Sequence, residues 1–145
     1  MLISRQPEAA RRGIELRASL DPAPTTGDPV LIESMVANLL DNAIQHNIPD
    51  GSVHVTTGRV KSAPQLSVRN SGPIIPTAEV ERLFKPFQRL GLDRTGSGNG
   101  HGLGLAIVQA IAQAHRAKIA AHPRSGGGLD IDVSFPSPQD SITAA

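Results

Sequence analysis

The residues whose spacing is most specific for chemistry are glycines on alternate positions near an expected helix start. An apolar helical pattern occupies residues 103–112 directly at their end. Glycine lets a backbone approach a ligand closely, and a helix N-terminus presents free N–H groups and a positive dipole end. We therefore predict an anion site, most simply for a nucleotide phosphate. A flexible linker is the alternative, which Leu103 and Leu105 disfavour. The glycines are Gly96, Gly98, Gly100, Gly102 and Gly104.

The glycine spacing matches neither of the two common phosphate loops. A P-loop requires a Gly-Lys pair, and the chain contains none. The dinucleotide-binding pattern requires a glycine three residues after a Gly-x-Gly pair, but Leu103 and Ile107 occupy those positions. A phosphate site here would therefore belong to a different class of loop.

Two asparagines one helical turn apart form the second group. Residues 28–46 predict a helix that begins with an Asp-Pro pair. Asn38 and Asn42 lie at the edge of its apolar stripe, with His46 one turn further on. Such an amide can bond to a neighbouring strand or to water, but its oxygen is also a hard ligand that suits Mg²⁺. Beside a phosphate-type loop, the pair favours a metal site. The predicted buried stripe consists of Ile32, Val36, Leu39, Leu40 and Ala43.

A strand that runs into a glycine turn forms the third group. Asn70, Ser71 and Gly72 follow the apolar-polar alternation of residues 65–69. A polar side chain at a strand end can contact the edge of a base. An ordinary Asn-Ser-Gly turn explains the same residues equally well, so this group alone leaves both interpretations open.

Strands and helices must both contribute to positioning these groups. The economical architecture is a two-layer α/β sandwich, in which helices cover one face of a mixed sheet of about five strands and about three helices are expected. The second and third strands are expected to form a hairpin. Strands are predicted at residues 13–20, 52–56, 65–69, 118–121 and 129–135, and helices at residues 28–46, 77–84 and 103–115.

Composition limits the class of protein. A chain of 145 residues fits one domain, which we expect at residues 13–136. Residues 1–12 are expected to be a linker or disordered, residues 137–145 a disordered tail, and residues 88–101 a mobile loop. A net charge of +1 gives no bulk attraction for nucleic acid or a membrane surface. No apolar run reaches the roughly 18 residues of a membrane span.

Four segments, taken in order, resemble the ATP-binding catalytic domain of sensor histidine kinases, within the superfamily of gyrase, Hsp90 and MutL. Residues 38–46 (NLLDNAIQH) resemble the N box and residues 70–74 (NSGPI) the G1 box. Residues 84–87 (FKPF) resemble the F box and residues 100–105 (GHGLGL) the G2 box. Their order and spacing match the family over nearly the whole chain. The resemblance implies the Bergerat α/β sandwich, with ATP and Mg²⁺ as cofactors.

The resemblance also implies roles for individual residues. Asn42 would be the Mg²⁺ ligand, and Asn38, the catalytic position, would lie near the metal and the phosphates. The ATPase branch has a water-activating glutamate at the position of Asn38. Asparagine is not a general base, which favours phosphoryl transfer to a protein. Residues 88–101 would form the ATP lid, with Arg89 and Arg94 as phosphate contacts. The other implied nucleotide-binding residues are His46, Asn70, Gly72, Ile75, Gly100, His101, Gly102, Leu103, Gly104 and Leu105.

Four departures from the family pattern bear on these roles. Asn70 replaces an aspartate that accepts a hydrogen bond from the adenine amino group. An amide oxygen can also accept, but an amide that flips would weaken the selectivity for adenine over guanine. Ile74 replaces a glycine and does not readily take a positive φ, so the turn must differ. Gln45 occupies a position where the family commonly has Lys or Arg. Arg116 and Ala117 occupy positions where the family frequently has Gly-Gly.

The phosphoacceptor histidine of the family has no counterpart in this sequence. None of the five histidines precedes Asp or Glu, and no dimerisation hairpin precedes Gly13. The resemblance implies a cytoplasmic catalytic domain that moves the γ-phosphoryl group of ATP to a histidine on a separate dimerisation domain or protein, in cis or in trans. A response regulator would act downstream. The domain itself would bind no nucleic acid and make no direct contact with a membrane. The alternatives are a nucleotide-binding pseudokinase, an anti-sigma-type protein-serine kinase and, disfavoured by Asn38, an ATPase.

Overall fold

The computed structural model describes residues 2–85 and 104–137, which form a mixed five-stranded sheet with helices packed on one face. The sheet order is β1-β2-β3-β5-β4; β1 and β2 are parallel and the other neighbours are antiparallel. This confirms the predicted α/β sandwich. The strands are β1 (Glu15–Leu20), β2 (Ser52–Val60), β3 (Ala63–Asn70), β4 (Lys118–Pro123) and β5 (Leu129–Ser134). The helices are α1 (Leu2–Arg11), α2 (Pro29–Gln45) and α3 (Gly104–Ala114), with 3₁₀ turns at Thr77–Glu79 and Glu81–Phe84.

Helix α2 begins where its sequence predicts. The Asp28 carboxylate accepts hydrogen bonds from the N–H groups of Val30 at 2.9 Å and Leu31 at 3.3 Å, and Pro29 occupies the first turn. The buried stripe is shifted from the expected one: Ile32 and Val36 are only partly buried. The sheet, α1 and α3 all pack against α2. Which residues of α2 are most buried therefore depends on the tertiary packing. The fully buried residues of α2 are Met35, Leu39, Leu40, Ala43 and Ile44.

The N-terminal segment is a helix, which corrects the expectation of a linker or disordered segment at residues 1–12. Pro7 lies inside α1, and a proline normally disfavours a helix interior. Tertiary contacts outweigh this cost. Ala9 is completely buried in the core, and Arg5 makes two hydrogen bonds to Asp41 of α2, at 3.0 and 3.3 Å. A hydrogen bond from Arg12 lowers the pKa of the partly exposed Glu8 carboxyl.

Two hairpins build the centre and one edge of the sheet. Strands β2 and β3 pair through a two-residue loop whose residues, Lys61 and Ser62, both have positive φ. Strands β5 and β4 form the second antiparallel pair. The alternation predicted for β5 is observed, because one face carries buried residues and the other partly exposed ones. The buried face includes Leu129, Ile131 and Val133, and it packs against α2 and α3.

The short helix predicted at residues 77–84 is divided into two 3₁₀ turns. Pro76 occupies the position before the first turn, and no side chain caps it. The second turn packs against α3, with Leu83 and Phe84 partly buried against the core. Among the described residues, no helix combines the length and apolarity that a membrane crossing requires.

Candidate nucleotide-binding site

Helix α2 carries the predicted polar row along one flank. Asn38 and Asn42 are partly buried, and His46 is exposed at the C-cap. The rise of about 1.5 Å per residue separates Asn38 from His46 by roughly 12 Å along the helix axis. This flank can therefore run beside both ends of an extended nucleotide.

The start of α3 lies against the first asparagine of this row. A Cβ atom added to Gly104 would lie 3.5 Å from Asn38 Oδ1. Asn38 Nδ2 donates to the carbonyl oxygen of Ser34 at 2.8 Å, which fixes the orientation of the amide. Helix α3 begins at Gly104, and the first N–H groups of a helix have no partner within it. The amide oxygen of Asn38 and the first N–H groups of α3 therefore lie near each other at one end of the flank.

The amide of Asn42 is left available for a ligand. Its side chain is partly buried, and within residues 2–85 and 104–137 no hydrogen bond engages its amide. An amide that served only the fold would be expected to bond to a strand or a backbone group. The residues present thus fit a Mg²⁺ ion that takes one ligand from Asn42 and others from phosphate oxygens.

Asn70 lies at the other end of the site, on the helix-facing side of the sheet. Its register partners are Val53 and Leu129, whose side chains belong to the core. The residue is 5% exposed. Asn70 Nδ2 donates to the carbonyl oxygen of Ser71 at 2.9 Å. This bond fixes the orientation of the amide and leaves Oδ1 free to accept, which argues against the freely flipping amide expected from the sequence.

Close backbone packing shapes the turn that follows Asn70. A Cβ atom on Gly72 would lie 2.8 Å from the carbonyl oxygen of His46, so this glycine lets the turn approach the end of α2. Gly128, at φ +100°, packs still more closely, since a Cβ there would lie 2.0 Å from the carbonyl oxygen of Asn70. This contribution of the β4–β5 loop is not among the features predicted from the sequence. The run of three glycines at residues 126–128 was the available signal.

Comparison with known proteins decides which family combines these features. The profile of the family described as "Histidine kinase-, DNA gyrase B-, and HSP90-like ATPase" matches residues 27–139. The chain belongs to this family. Its match confirms the resemblance that the four sequence segments indicated, and it covers α2, the Asn70 turn and α3.

Individual members of the histidine kinase-, gyrase B- and HSP90-like family are similar over most of this chain. The sensor protein CutS of Streptomyces coelicolor is 43% identical over 130 residues, which make up 89% of this chain and 31% of CutS. The chain thus spans under a third of this relative. The nucleotide-free catalytic domain of histidine kinase ThkA matches with a TM-score of 0.79 and 26% identity, covering 95% of this chain and 89% of that one. ThkA in complex with the response regulator TrrA matches with a TM-score of 0.72 and 25% identity, covering 93% and 37%.

The structure places the predicted site residues that it describes in two groups along α2, with Gly104 near Asn38 and Gly72 near the carbonyl oxygen of His46. Leu105, the second residue of α3, is buried in the core, so only its backbone could contact a nucleotide. Ile75 is partly buried against the core, whereas Ile74 is exposed and does not have a positive φ. The predicted lid, residues 88–101, lies outside the described residues, as do Arg89, Arg94, Gly100, His101, Gly102 and Leu103. The expected tail lies outside them from residue 138 onward.

Proposed function

We propose that this chain is the ATP-binding catalytic domain of a two-component sensor histidine kinase. It would bind Mg-ATP and transfer the γ-phosphoryl group to a histidine on a separate domain or chain. The observation that carries the proposal is the proximity of Asn38 on α2 to Gly104 at the start of α3, where an added Cβ would lie 3.5 Å from Asn38 Oδ1. In a member of this family, that proximity places the N box beside the end of the G2 box.

The phosphate end of the site would lie between α2 and α3. Asn42 would contribute one oxygen ligand to Mg²⁺, and the bound ion would neutralise phosphate charge. Asn38, oriented by its bond to Ser34, would direct its oxygen toward the same space. The first N–H groups of α3 and the positive end of its dipole would stabilise the phosphates. The predicted lid residues Arg89 and Arg94 would complete this end.

The base end of the site would lie where β3 leaves the sheet. Asn70 Oδ1 accepts no hydrogen bond within residues 2–85 and 104–137, so it can accept one from the exocyclic amino group of adenine. Gly72 and Ile75 would line the same end. His46, at the C-cap of α2, would stand between the base and the metal ligand.

Transfer would depend mainly on positioning and charge neutralisation. A histidine imidazole nitrogen would form a bond to the γ-phosphorus as the bond to the bridging oxygen breaks, which releases ADP. Asn38 cannot remove a proton from water, so hydrolysis would be slow compared with transfer. The acceptor would be a histidine-bearing dimerisation domain or protein in the cytoplasm, with a response regulator downstream, as in the ThkA–TrrA pair.

Calorimetry of the 145-residue chain with ATP and millimolar MgCl₂ tests binding. Incubation with γ-labelled ATP and a separately purified histidine-bearing dimerisation domain tests transfer. We expect saturable binding and an acid-labile, base-stable label on the added domain. Binding without label would favour the pseudokinase alternative, and an acid-stable, base-labile label would favour a serine kinase. Absence of any Mg-ATP binding would reject the proposed function.

A further inference from the structure

Asn47, the residue directly after the C-cap of α2, uses every hydrogen-bonding position of its amide. Its Nδ2 donates to the carbonyl oxygens of Ala43 at 3.1 Å and Ser52 at 3.0 Å. Its Oδ1 accepts from the N–H of Ile48 at 2.8 Å and from the hydroxyl of Ser71 at 2.6 Å. With two donors and two acceptors engaged, the amide has one orientation only.

Ser71 completes this connection from the side of the G1 turn. Its hydroxyl donates to Asn47 and accepts from the N–H of Ser52 at 2.8 Å. Its own N–H donates to the carbonyl oxygen of Ser52 at 3.1 Å. Gly51 leaves the space for this pair, because a Cβ there would lie 2.0 Å from Asn47 Oδ1. The end of α2, the start of β2 and the end of β3 therefore meet at two polar side chains.

The two neighbours of Ser71 are the residues assigned to the base end of the site. Asn70 donates from its amide to the carbonyl oxygen of Ser71, so the direction of Oδ1 depends on where that carbonyl is held. Gly72 packs against the carbonyl oxygen of His46. A displacement of Ser71 would thus move the hydrogen-bond acceptor and the wall of the site together.

We propose that Asn47 and Ser71 are positioning residues that make the nucleotide site selective for adenine. Their hydrogen bond holds the turn at residues 70–72 against α2, so that Asn70 presents an acceptor and not a donor to the base. Adenine carries an amino group at the position where guanine carries a carbonyl oxygen, and only the amino group can donate to Asn70 Oδ1. This inference rests on the proposed function, since it assigns selectivity to the same site.

Paired affinities for Mg-ATP and Mg-GTP, measured by calorimetry on the full 145-residue chain, test the inference. The variants are Ser71→Ala and Asn47→Ala. Ser67→Ala is the matched control, because Ser67 lies on β3, the strand that ends just before Ser71. It is 5% exposed and donates to Asp132 at 2.5 Å, on the other face of the sheet. Asn42→Ala shows the effect of a substitution at the phosphate end of the site. Thermal melts identify any variant that fails to fold. If Asn47→Ala fails to fold, Ser71→Ala, which removes only one oxygen atom, still tests the inference.

We expect wild type to prefer ATP and Ser71→Ala to reduce the ATP-over-GTP affinity ratio by about threefold to tenfold, the size of one hydrogen bond. Asn47→Ala should reduce the ratio at least as much. Ser67→Ala should lower the melting temperature at an unchanged ratio, and Asn42→Ala should weaken both nucleotides by a similar factor. A purely structural role for Ser71 would lower the melting temperature and leave the ratio unchanged.

Two failures are distinguishable. If wild type binds neither nucleotide, the proposed function is rejected. If wild type binds ATP but shows no preference over GTP, or if Ser71→Ala retains the wild-type ratio, only the positioning role of Asn47 and Ser71 is rejected.

Discussion

Gly104 and Asn38 face each other where α3 begins beside α2, at a separation that would leave 3.5 Å between a Cβ on Gly104 and Asn38 Oδ1. This is an ordinary van der Waals distance, so the protein can accommodate a methyl group here without moving the asparagine. The space in front of both residues is where we propose that the phosphates bind. A substitution at Gly104 can therefore change nucleotide binding without changing the stability of the fold.

Replacing Gly104 by alanine should preserve the fold and weaken nucleotide binding. Alanine in the first turn of a helix is neutral or stabilising by up to about 1 kcal/mol, whereas its methyl group would stand beside the phosphates. We expect at least a tenfold loss of Mg-ATP affinity by calorimetry. Gly58→Ala is the matched control, because a Cβ there would lie 3.8 Å from its nearest neighbour, Asp21. Equal affinities of the two variants would contradict the proposed phosphate position.

Replacing Asn42 by alanine should abolish most Mg-dependent ATP binding without lowering stability. The amide makes no hydrogen bond within the described part of the chain, and alanine favours a helix more than asparagine does. Urea unfolding and calorimetry at several magnesium concentrations provide the two measurements. Asn42→Asp, which keeps an oxygen ligand, should retain more affinity than Asn42→Ala. A marked loss of stability in Asn42→Ala would instead indicate a structural amide.

Replacing Asn70 by aspartate should destabilise the fold while leaving base selectivity similar. The carboxylate cannot donate to the carbonyl oxygen of Ser71, a bond of 2.9 Å in the wild type. The lost hydrogen bond should cost about 1–2 kcal/mol of unfolding free energy. Because the orientation of the amide already leaves Asn70 Oδ1 to accept from the base, the ratio of ATP to GTP affinity should change little. A large increase in that ratio would show that the wild-type amide flips, as the sequence alone suggested.

The completely buried Ala9 tests the structural role of α1. Ala9→Asp would place a carboxylate in the core, and we expect a loss of about 3 kcal/mol or more of unfolding free energy. Ala10→Asp is the control, because the side chain of Ala10, next to Ala9 in the sequence, is exposed. This substitution should change the unfolding free energy by about 0.5 kcal/mol or less. Urea denaturation monitored by circular dichroism gives both values. Similar values for the two variants would restore the linker interpretation of residues 1–12.

Arg116 carries backbone strain that a glycine would relieve. It has φ +57° just after α3, and the N–H of Ala117 bonds to the carbonyl oxygen of Ala112 at 2.8 Å, as at a helix end that favours glycine. We expect Arg116→Gly to raise the unfolding free energy by about 0.5–1 kcal/mol. Arg116→Ala, which keeps the Cβ atom, should give no such gain. A gain of equal size in both variants would assign the effect to the charged side chain.

The sequence determined the features that depend on neighbours along the chain. The Asp28 cap of α2 and the alternation of β5 each follow from a few adjacent residues, and the structure has both. Asn38 and Asn42 share a flank because residues four apart on a helix do so. The order of the four family segments gave the family, which the profile match confirms.

Tertiary structure decided what depends on residues far apart in the sequence. Helix α1 contains a proline and is held by contacts such as Arg5 to Asp41, 36 residues away. The bond from Asn47 to Ser71 spans 24 residues, and Gly128 meets Asn70 only because β5 pairs with β3. A local pattern specifies the period and ends of an element. The partners of its polar groups are specified only once strand register and helix packing bring distant segments within hydrogen-bonding distance.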